Sequence, residues 1–139
     1  MRVEESIEIE RPVQTVWAMV SDLRNDPRWC RKVKSVEADG DGRWTVIHKP
    51  VPLRPAVPLA VVEVERRGPD GLTLRQEDGA SVFHVEYTLE PTAAGTRFSQ
   101  VSDFEWKKLP RMLHRTFARG VRNDVRRQLH ALKETLESD

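Results

Sequence analysis

Cysteine is almost missing from this chain: Cys30 is the only one in 139 residues. A single thiol closes no internal disulfide and builds no cysteine-based zinc site, so Cys30 is expected to pack as a small apolar residue. Long hydrophobic runs are missing too. No stretch approaches the roughly 20 apolar residues that span a bilayer, and the start from Met1 to Glu10 is charged and strand-like, without the apolar run of a signal segment. Secretion and stable membrane insertion are not expected, and a cytoplasmic location is the default.

A large excess of either charge is also absent. Charged residues make up 32% of the chain but the net charge is only +1, which argues against a disordered tail and against a strongly nucleic-acid-seeking protein. Aromatics are 6% of the chain and mostly fall on inward positions, leaving no base-stacking platform. No nucleic-acid partner is expected. There is no Gly-x-Ser-x-Gly elbow, phosphate-cradling glycine loop or dinucleotide fingerprint, so covalent hydrolysis and nucleotide cofactors are disfavoured. His48, His84, His114 and His130 lack metal-ligand spacing and have no acidic cluster beside them. Neither a metal nor a cofactor is expected.

What is present is order. The length suits one domain over 1–139, large enough for a core without staples. A period-two start gives way at Pro12, a residue tolerated in a helix's first turn, to helical spacing at Val13, Val16, Trp17 and Val20. Asp22 through Pro27 break that spacing, and Asp26-Pro27 is placed to start a second short helical turn that includes Trp29. Thereafter Asp39-Gly40-Asp41-Gly42, Pro69-Asp70-Gly71, Asp78-Gly79 and Ala94-Gly95 punctuate alternating segments. They predict six antiparallel strands over about 32–38, 43–49, 57–67, 72–77, 81–90 and 96–105. The stretch 50–58 is too rich in proline for an interior strand.

The chain closes on an amphipathic pattern from Leu109 to Glu137. Leu113, Phe117, Val121, Val125, Leu129, Leu132 and Leu136 form one stripe, with Arg111, Arg115, Arg119, Arg122, Arg126 and Lys133 opposite. Such a helix would run about 43 Å at 1.5 Å per residue, longer than the roughly 27 Å of an eight-residue strand, so it must cross a whole sheet. Strand, two short helices, six-stranded meander and long helix make an α+β arrangement with helices on one face.

This order resembles the START-like superfamily, also called Bet v 1-like or SRPBCC, and most of all its polyketide cyclase/dehydrase branch. The local matches are Ile7-Glu8-Ile9-Glu10-Arg11-Pro12-Val13-Gln14-Thr15-Val16-Trp17, Ser21-Asp22 with Asp26-Pro27-Arg28-Trp29, Tyr87-Thr88-Leu89-Glu90-Pro91 and Gly95-Thr96-Arg97. The resemblance implies a helix-grip fold, a curved seven-stranded antiparallel sheet wrapped around the C-terminal helix with an apolar cavity between them. It also implies hydrophobic ligands such as lipids, sterols or polyketides, and in some members aromatase/cyclase activity. Fold alone does not carry function.

Strand parity names the residues facing such a cavity: Trp44, Val46 and His48; Leu74 and Gln76; Phe83, Val85 and Tyr87; Phe98, Gln100 and Ser102. Inward Gln76, Tyr87, Gln100, Ser102 and His48 either orient a ligand or bond to one another, backbone or water. On the helix, Met112, Phe117, Gly120 and Val121 are expected to line the cavity. Gly120 costs about 1 kcal/mol relative to alanine, which suggests a close approach, a bend or room for a ligand. Asp124 falls beside Phe117 and Leu113, and is either an acid/base group or the partner of Arg127, one i,i+3 step away. His48 is the better histidine for acid/base work and His84 is expected to be solvated. The loop 50–58, with Val51, Leu53 and Val57, is expected to border the entrance together with Glu77-Asp78-Gly79 and Trp106-Lys107-Lys108-Leu109. Trp29 is expected to be core.

Three functional readings follow. The first is binding of a hydrophobic small molecule between sheet and helix. The second is a polyketide cyclase/aromatase or dehydratase in which His48, Tyr87 or Asp124 moves protons. The third is an interaction module whose arginine face meets an acidic partner such as a carrier protein. The oligomeric expectation is a monomer or homodimer.

Overall fold

In the computed structural model, residues 1–50 and 58–138 are described. The entrance loop expected at Val51, Leu53 and Val57 therefore lies outside the described residues.

Alternation builds the first strand, β1 (Arg2–Ile9): Val3 and Ile9 are buried while Arg2, Glu4, Ser6 and Glu8 face out. Pro12 sits at the N-cap of α1 (Val13–Val20), which buries Val16, Met19 and Val20. The second turn begins earlier than expected. It is a 3-10 helix over Leu23–Arg28 whose N-cap is Asp22, not Asp26. The extended Asp22 backbone lets its carboxylate accept the Arg24 amide at 3.0 Å, satisfying an end donor. Asp26 and Pro27 thus lie inside the turn, and Leu23 and Asp26, three residues apart on one face of a 3-10 helix, are both buried.

The meander comprises β2 (Val33–Gly40), β3 (Arg43–His48), β4 (Pro58–Arg66), β5 (Gly71–Glu77), β6 (Ser81–Pro91) and β7 (Thr96–Trp106). With β1 it forms one seven-stranded antiparallel sheet, in the order β1-β7-β6-β5-β4-β3-β2. The register sets inward side chains in rows across strands: Gln76 opposite Phe83, Val85 opposite Ser102, and Tyr87 opposite Gln100. Gly95 closes the β6–β7 turn where the chain meets the end of β1, and a Cβ there would lie 2.3 Å from the Ile9 carbonyl oxygen. The adjoining Thr96, fully buried, donates from Oγ1 to the Arg11 carbonyl at 2.7 Å.

The long helix is shorter than the sequence pattern suggests. Pro110 has an extended backbone and is followed by a 3-10 turn, Arg111–Leu113, so that α2 runs only over His114–Glu137. Proline cannot supply a backbone amide and biases the preceding residue away from helix, which delays helix entry. The apolar stripe is buried only in its later part, at Val125, Leu129, Leu132 and Leu136, while Leu113 is exposed. That half is also tied to β1. The Glu137 carboxylate accepts the Glu10 amide at 2.9 Å, Lys133 donates to the Glu8 carbonyl at 2.7 Å, and Arg126 pairs with Glu5 at 2.9 Å. The middle of α2, from Val121 to Gln128, faces a cavity that the fold keeps between helix and sheet.

Candidate ligand cavity

A cavity of about 230 Å³ lies between the sheet and α2. From the sheet come Val46 and His48 of β3, Leu59 and Val61 of β4, Gln76 of β5, Ser81, Phe83, Val85 and Tyr87 of β6, and Gln100 and Ser102 of β7. Val121, Asp124, Val125 and Gln128 of α2 line the opposite side, and Leu23, Asp26, Cys30, Lys32 and Val33 close it from the segment between α1 and β2. Cys30 is buried, as its isolation in the sequence suggests, but it also contributes to this wall.

Ten residues singled out from the sequence meet here: Val46, His48, Gln76, Phe83, Val85, Tyr87, Gln100, Ser102, Val121 and Asp124. Six others do not. Leu74 and Phe98 are packed into the core at 1% and 0% exposure, Phe98 against Trp29 and Tyr87. Trp44 lies farther along β3 and is partly buried against the core. Phe117 is half-buried and packs edge-on to Trp106 at 5.9 Å. Met112 is 85% exposed, because it belongs to the 3-10 turn after Pro110 and not to the helical stripe. Gly120 is exposed and a Cβ there would meet nothing within 4 Å, so no close approach explains it. Trp29 is core at 1% exposure, and Trp106 packs between Phe104, His114 and Phe117.

The wall is chemically divided. At its wetter part Lys32 forms an ion pair with Asp124, joining the segment before β2 to α2 across the cavity. Asp124 takes this partner and not Arg127. His48 is half-buried there; burial and the Lys32 charge push its pKa below the ordinary histidine value, against an opposing pull from Asp78. It is a neutral imidazole at pH 7.

At the drier part stand Asp26, Tyr87, Gln100 and Ser102, each no more than 9% exposed. Burial, helped by the nearby negative charge of Asp22, pushes the Asp26 carboxyl up to about 8, so it is mostly a neutral acid at pH 7. Its Oδ1 is buried and has no hydrogen-bond partner among the described residues, and the same holds for Gln100 Oε1. Gln100 Nε2 donates to Ser102 Oγ at 3.4 Å, a long bond. Burial also lifts the Tyr87 hydroxyl well above its ordinary value, with added effects from Asp26 and Cys30, so Tyr87 is a hydrogen-bond donor and no base. Each buried polar atom left unpaired costs about 1–3 kcal/mol. The arrangement can therefore hold an apolar body against aliphatic and aromatic walls and meet one polar end with uncharged groups.

Sequence reasoning passes over Asp26 because an Asp-Pro pair reads as a helix start. The signal that could have found it is its three-residue spacing from Leu23, an apolar residue on the same face of a 3-10 turn. Among the described residues no group of three or more His, Cys, Asp or Glu could hold a metal ion, and no helix is long and apolar enough to cross a membrane.

The family described as polyketide cyclase / dehydrase and lipid transport matches residues 1–137. No curated protein sequence matches the chain. Among solved structures, the TTHA0849 protein of Thermus thermophilus superposes with a TM-score of 0.80 at 18% identity, covering 99% of this chain and 98% of that one. A START superfamily protein from Mycobacterium smegmatis gives 0.78 at 14% identity, covering 97% and 98%. The di-domain ARO/CYC BexL of the BE-7585A biosynthetic pathway gives 0.80 at 17% identity, covering 99% of this chain and 46% of that one. These likenesses establish a shared α+β helix-grip architecture.

Proposed function

The chain belongs to the polyketide cyclase/dehydrase and lipid-transport family, and on that premise we propose that it binds one compact hydrophobic molecule between the sheet and α2. The observation that carries this reading is the cavity itself, about 230 Å³, with Val46, Leu59, Val61, Phe83, Val85, Val121 and Val125 on its walls and polar groups confined to particular places. Ligand sites are generally apolar clefts of about 300–1,000 Å³ with a few placed polar groups. At about 230 Å³ the cavity lies below that range, which favours a compact ring system over a long-chain lipid.

Native mass spectrometry of freshly purified protein, together with thermal unfolding against a panel of fatty acids, sterols and aromatic polyketides, tests this. A ligand present at 100 times its Kd stabilises by about 2.7 kcal/mol and should raise Tm by roughly 8 °C or more. No retained mass and no shift with any panel member would remove the support for binding.

One observation favours a second reading, an enzyme of the cyclase or dehydratase kind. Asp26 and His48 line the same cavity as a neutral acid and a neutral base, the protonation states that enolisation of a ketone needs. In this reading Asp124, tied to Lys32, and Tyr87 are positioning groups. Asp26→Asn and His48→Gln should each lower turnover of a poly-β-ketone thioester about 100-fold or more with little change in Kd; unchanged turnover in both variants argues against catalysis. An acidic carrier protein as partner is a weaker proposal, because Arg122 and Arg126 of the basic face already pair with Glu5.

A further inference from the structure

The dry end of the cavity poses a question of recognition. Three elements, the Leu23–Arg28 turn, β6 and β7, each bring a polar side chain to it, in Asp26, Tyr87 and Gln100. Buried polar groups are normally paired within the protein. Here Asp26 Oδ1 and Gln100 Oε1 are buried with no hydrogen-bond partner among the described residues, and only burial and nearby charges, not hydrogen bonds, act on the Asp26 carboxyl and the Tyr87 hydroxyl. Groups on a cavity wall that do not pair with each other are suited to an outside partner.

We propose that the Asp26 carboxylic acid, together with the Tyr87 hydroxyl, donates hydrogen bonds to the carbonyl oxygen of a bound neutral ring compound, making the cavity selective for ketones over hydrocarbons and organic ions. The donors follow from protonation state: a carboxyl held neutral offers an O–H, and a phenol that does not ionise offers another. A carbonyl oxygen has two lone pairs and accepts both. A carboxylate ligand would bring a second negative charge near that of Asp22 into the buried part of the cavity. An ammonium ligand would require both it and Asp26 to be charged beside Leu23, Cys30 and Tyr87, where the desolvation of a buried pair roughly cancels its attraction. The carbonyl is the ligand group that leaves the site uncharged.

This inference rests on the cavity being a ligand site, so its test separates the two claims. Acetylnaphthalene, ethylnaphthalene and naphthylmethylamine have similar ring bodies and differ in the polar group. Their affinities are measured by titration calorimetry at pH 6 and pH 9 on the wild-type chain and on Asp26→Leu, Asp26→Asn and Tyr87→Phe. The ionisable groups facing Asp26 are Asp22 and Cys30 from its own segment and Tyr87 from β6; Lys32, His48, Asp78 and Asp124 line the same cavity.

At pH 6 the wild type should prefer the ketone over the hydrocarbon by about tenfold. The preference should fall several-fold by pH 9, when Asp26 becomes an acceptor. Asp26→Leu should remove most of it, leaving the Tyr87 share, while keeping hydrocarbon binding. Asp26→Asn, which keeps a donor, should retain most of it and lose the pH dependence. Tyr87→Phe should lower it in part. If all probes bind but the ketone preference is missing, or survives Asp26→Leu undiminished, the carbonyl assignment is wrong and the ligand site stands. A preference for the amine that grows at pH 9 would make Asp26 a counter-ion and overturn the proposal. If no probe binds any variant, the ligand-site reading fails with it.

Discussion

Asp26 and Asp124 line one cavity and have opposite environments. Asp124, with a quarter of its side chain exposed, meets Lys32 on the cavity wall. Asp26, buried on the 3-10 turn, meets no cation among the described residues and stays protonated to about 8. The same functional group is an ordinary ion-pair member in one place and a neutral acid in the other, and the difference lies in water and partners alone. The wet end uses its charge to hold α2 to the segment before β2. The dry end keeps a polar group unsatisfied at a cost in stability, which is the trade expected where binding sets the requirement.

The two aspartates should differ most in how they make stability depend on pH. An Asp held at about 8 in the native chain and near 3.8 when unfolded binds one more proton in the native state between those values. Stability then falls as pH rises through that window, and levels off above it. Over pH 5 to 8 the loss attributable to Asp26 is up to about 4 kcal/mol, at roughly 1.4 kcal/mol per pH unit. Asp26→Asn should flatten that decline and be the more stable protein at pH 8, as read by urea unfolding at both pH values. Parallel pH dependences in the two proteins would mean that Asp26 ionises normally and that the dry end is not dry.

A smaller effect is expected at Gln100. Its Oε1 is buried without a partner and its amide makes only the long bond to Ser102. Replacing an unsatisfied polar group by an apolar one of similar size is often neutral or better. Gln100→Leu should therefore stabilise by about 1 kcal/mol while weakening any ligand that uses the dry end. Destabilisation beyond about 1 kcal/mol would show that Gln100 is satisfied within the native chain.

These contrasts mark what can be read from the sequence. Strand positions and their inward faces are legible at Val46, Gln76, Phe83, Val85, Tyr87, Gln100 and Ser102, because a period of two fixes the face and the Asp-Gly and Pro-Asp-Gly punctuation fixes the turns. Parity cannot say how far along a strand the helix covers it. Phe98 and Leu74 share the inward face with the cavity residues and differ from them only in depth, as filled core. The start of α2 is misleading in the sequence because the amphipathic pattern runs through Pro110, whereas the helical backbone does not, which leaves Met112 in solvent. Asp26 is hidden because two local meanings compete for an Asp before a proline, a cap or a turn residue, and Asp22 takes the cap.

The smallest effect is at the wet end, and it tests whether the two ends are independent. Lys32→Met removes the cation from the Asp124 pair and leaves the alkyl stem. A largely exposed ion pair contributes less than about 1 kcal/mol, so Tm should hardly move, and what little change there is should shrink further in high salt. The informative readout is the His48 titration by NMR. A nearby positive charge disfavours the imidazolium, so its removal should raise the His48 pKa. Burial, the larger cause of the depression, remains, and the value should stay below that of an ordinary histidine. The pH dependence of stability assigned to Asp26 should be unchanged in the same variant, because burial and Asp22, not Lys32, set it. A shift of the Asp26 window in Lys32→Met would mean that charge at the opening reaches the dry end, and the cavity would then work as one electrostatic unit.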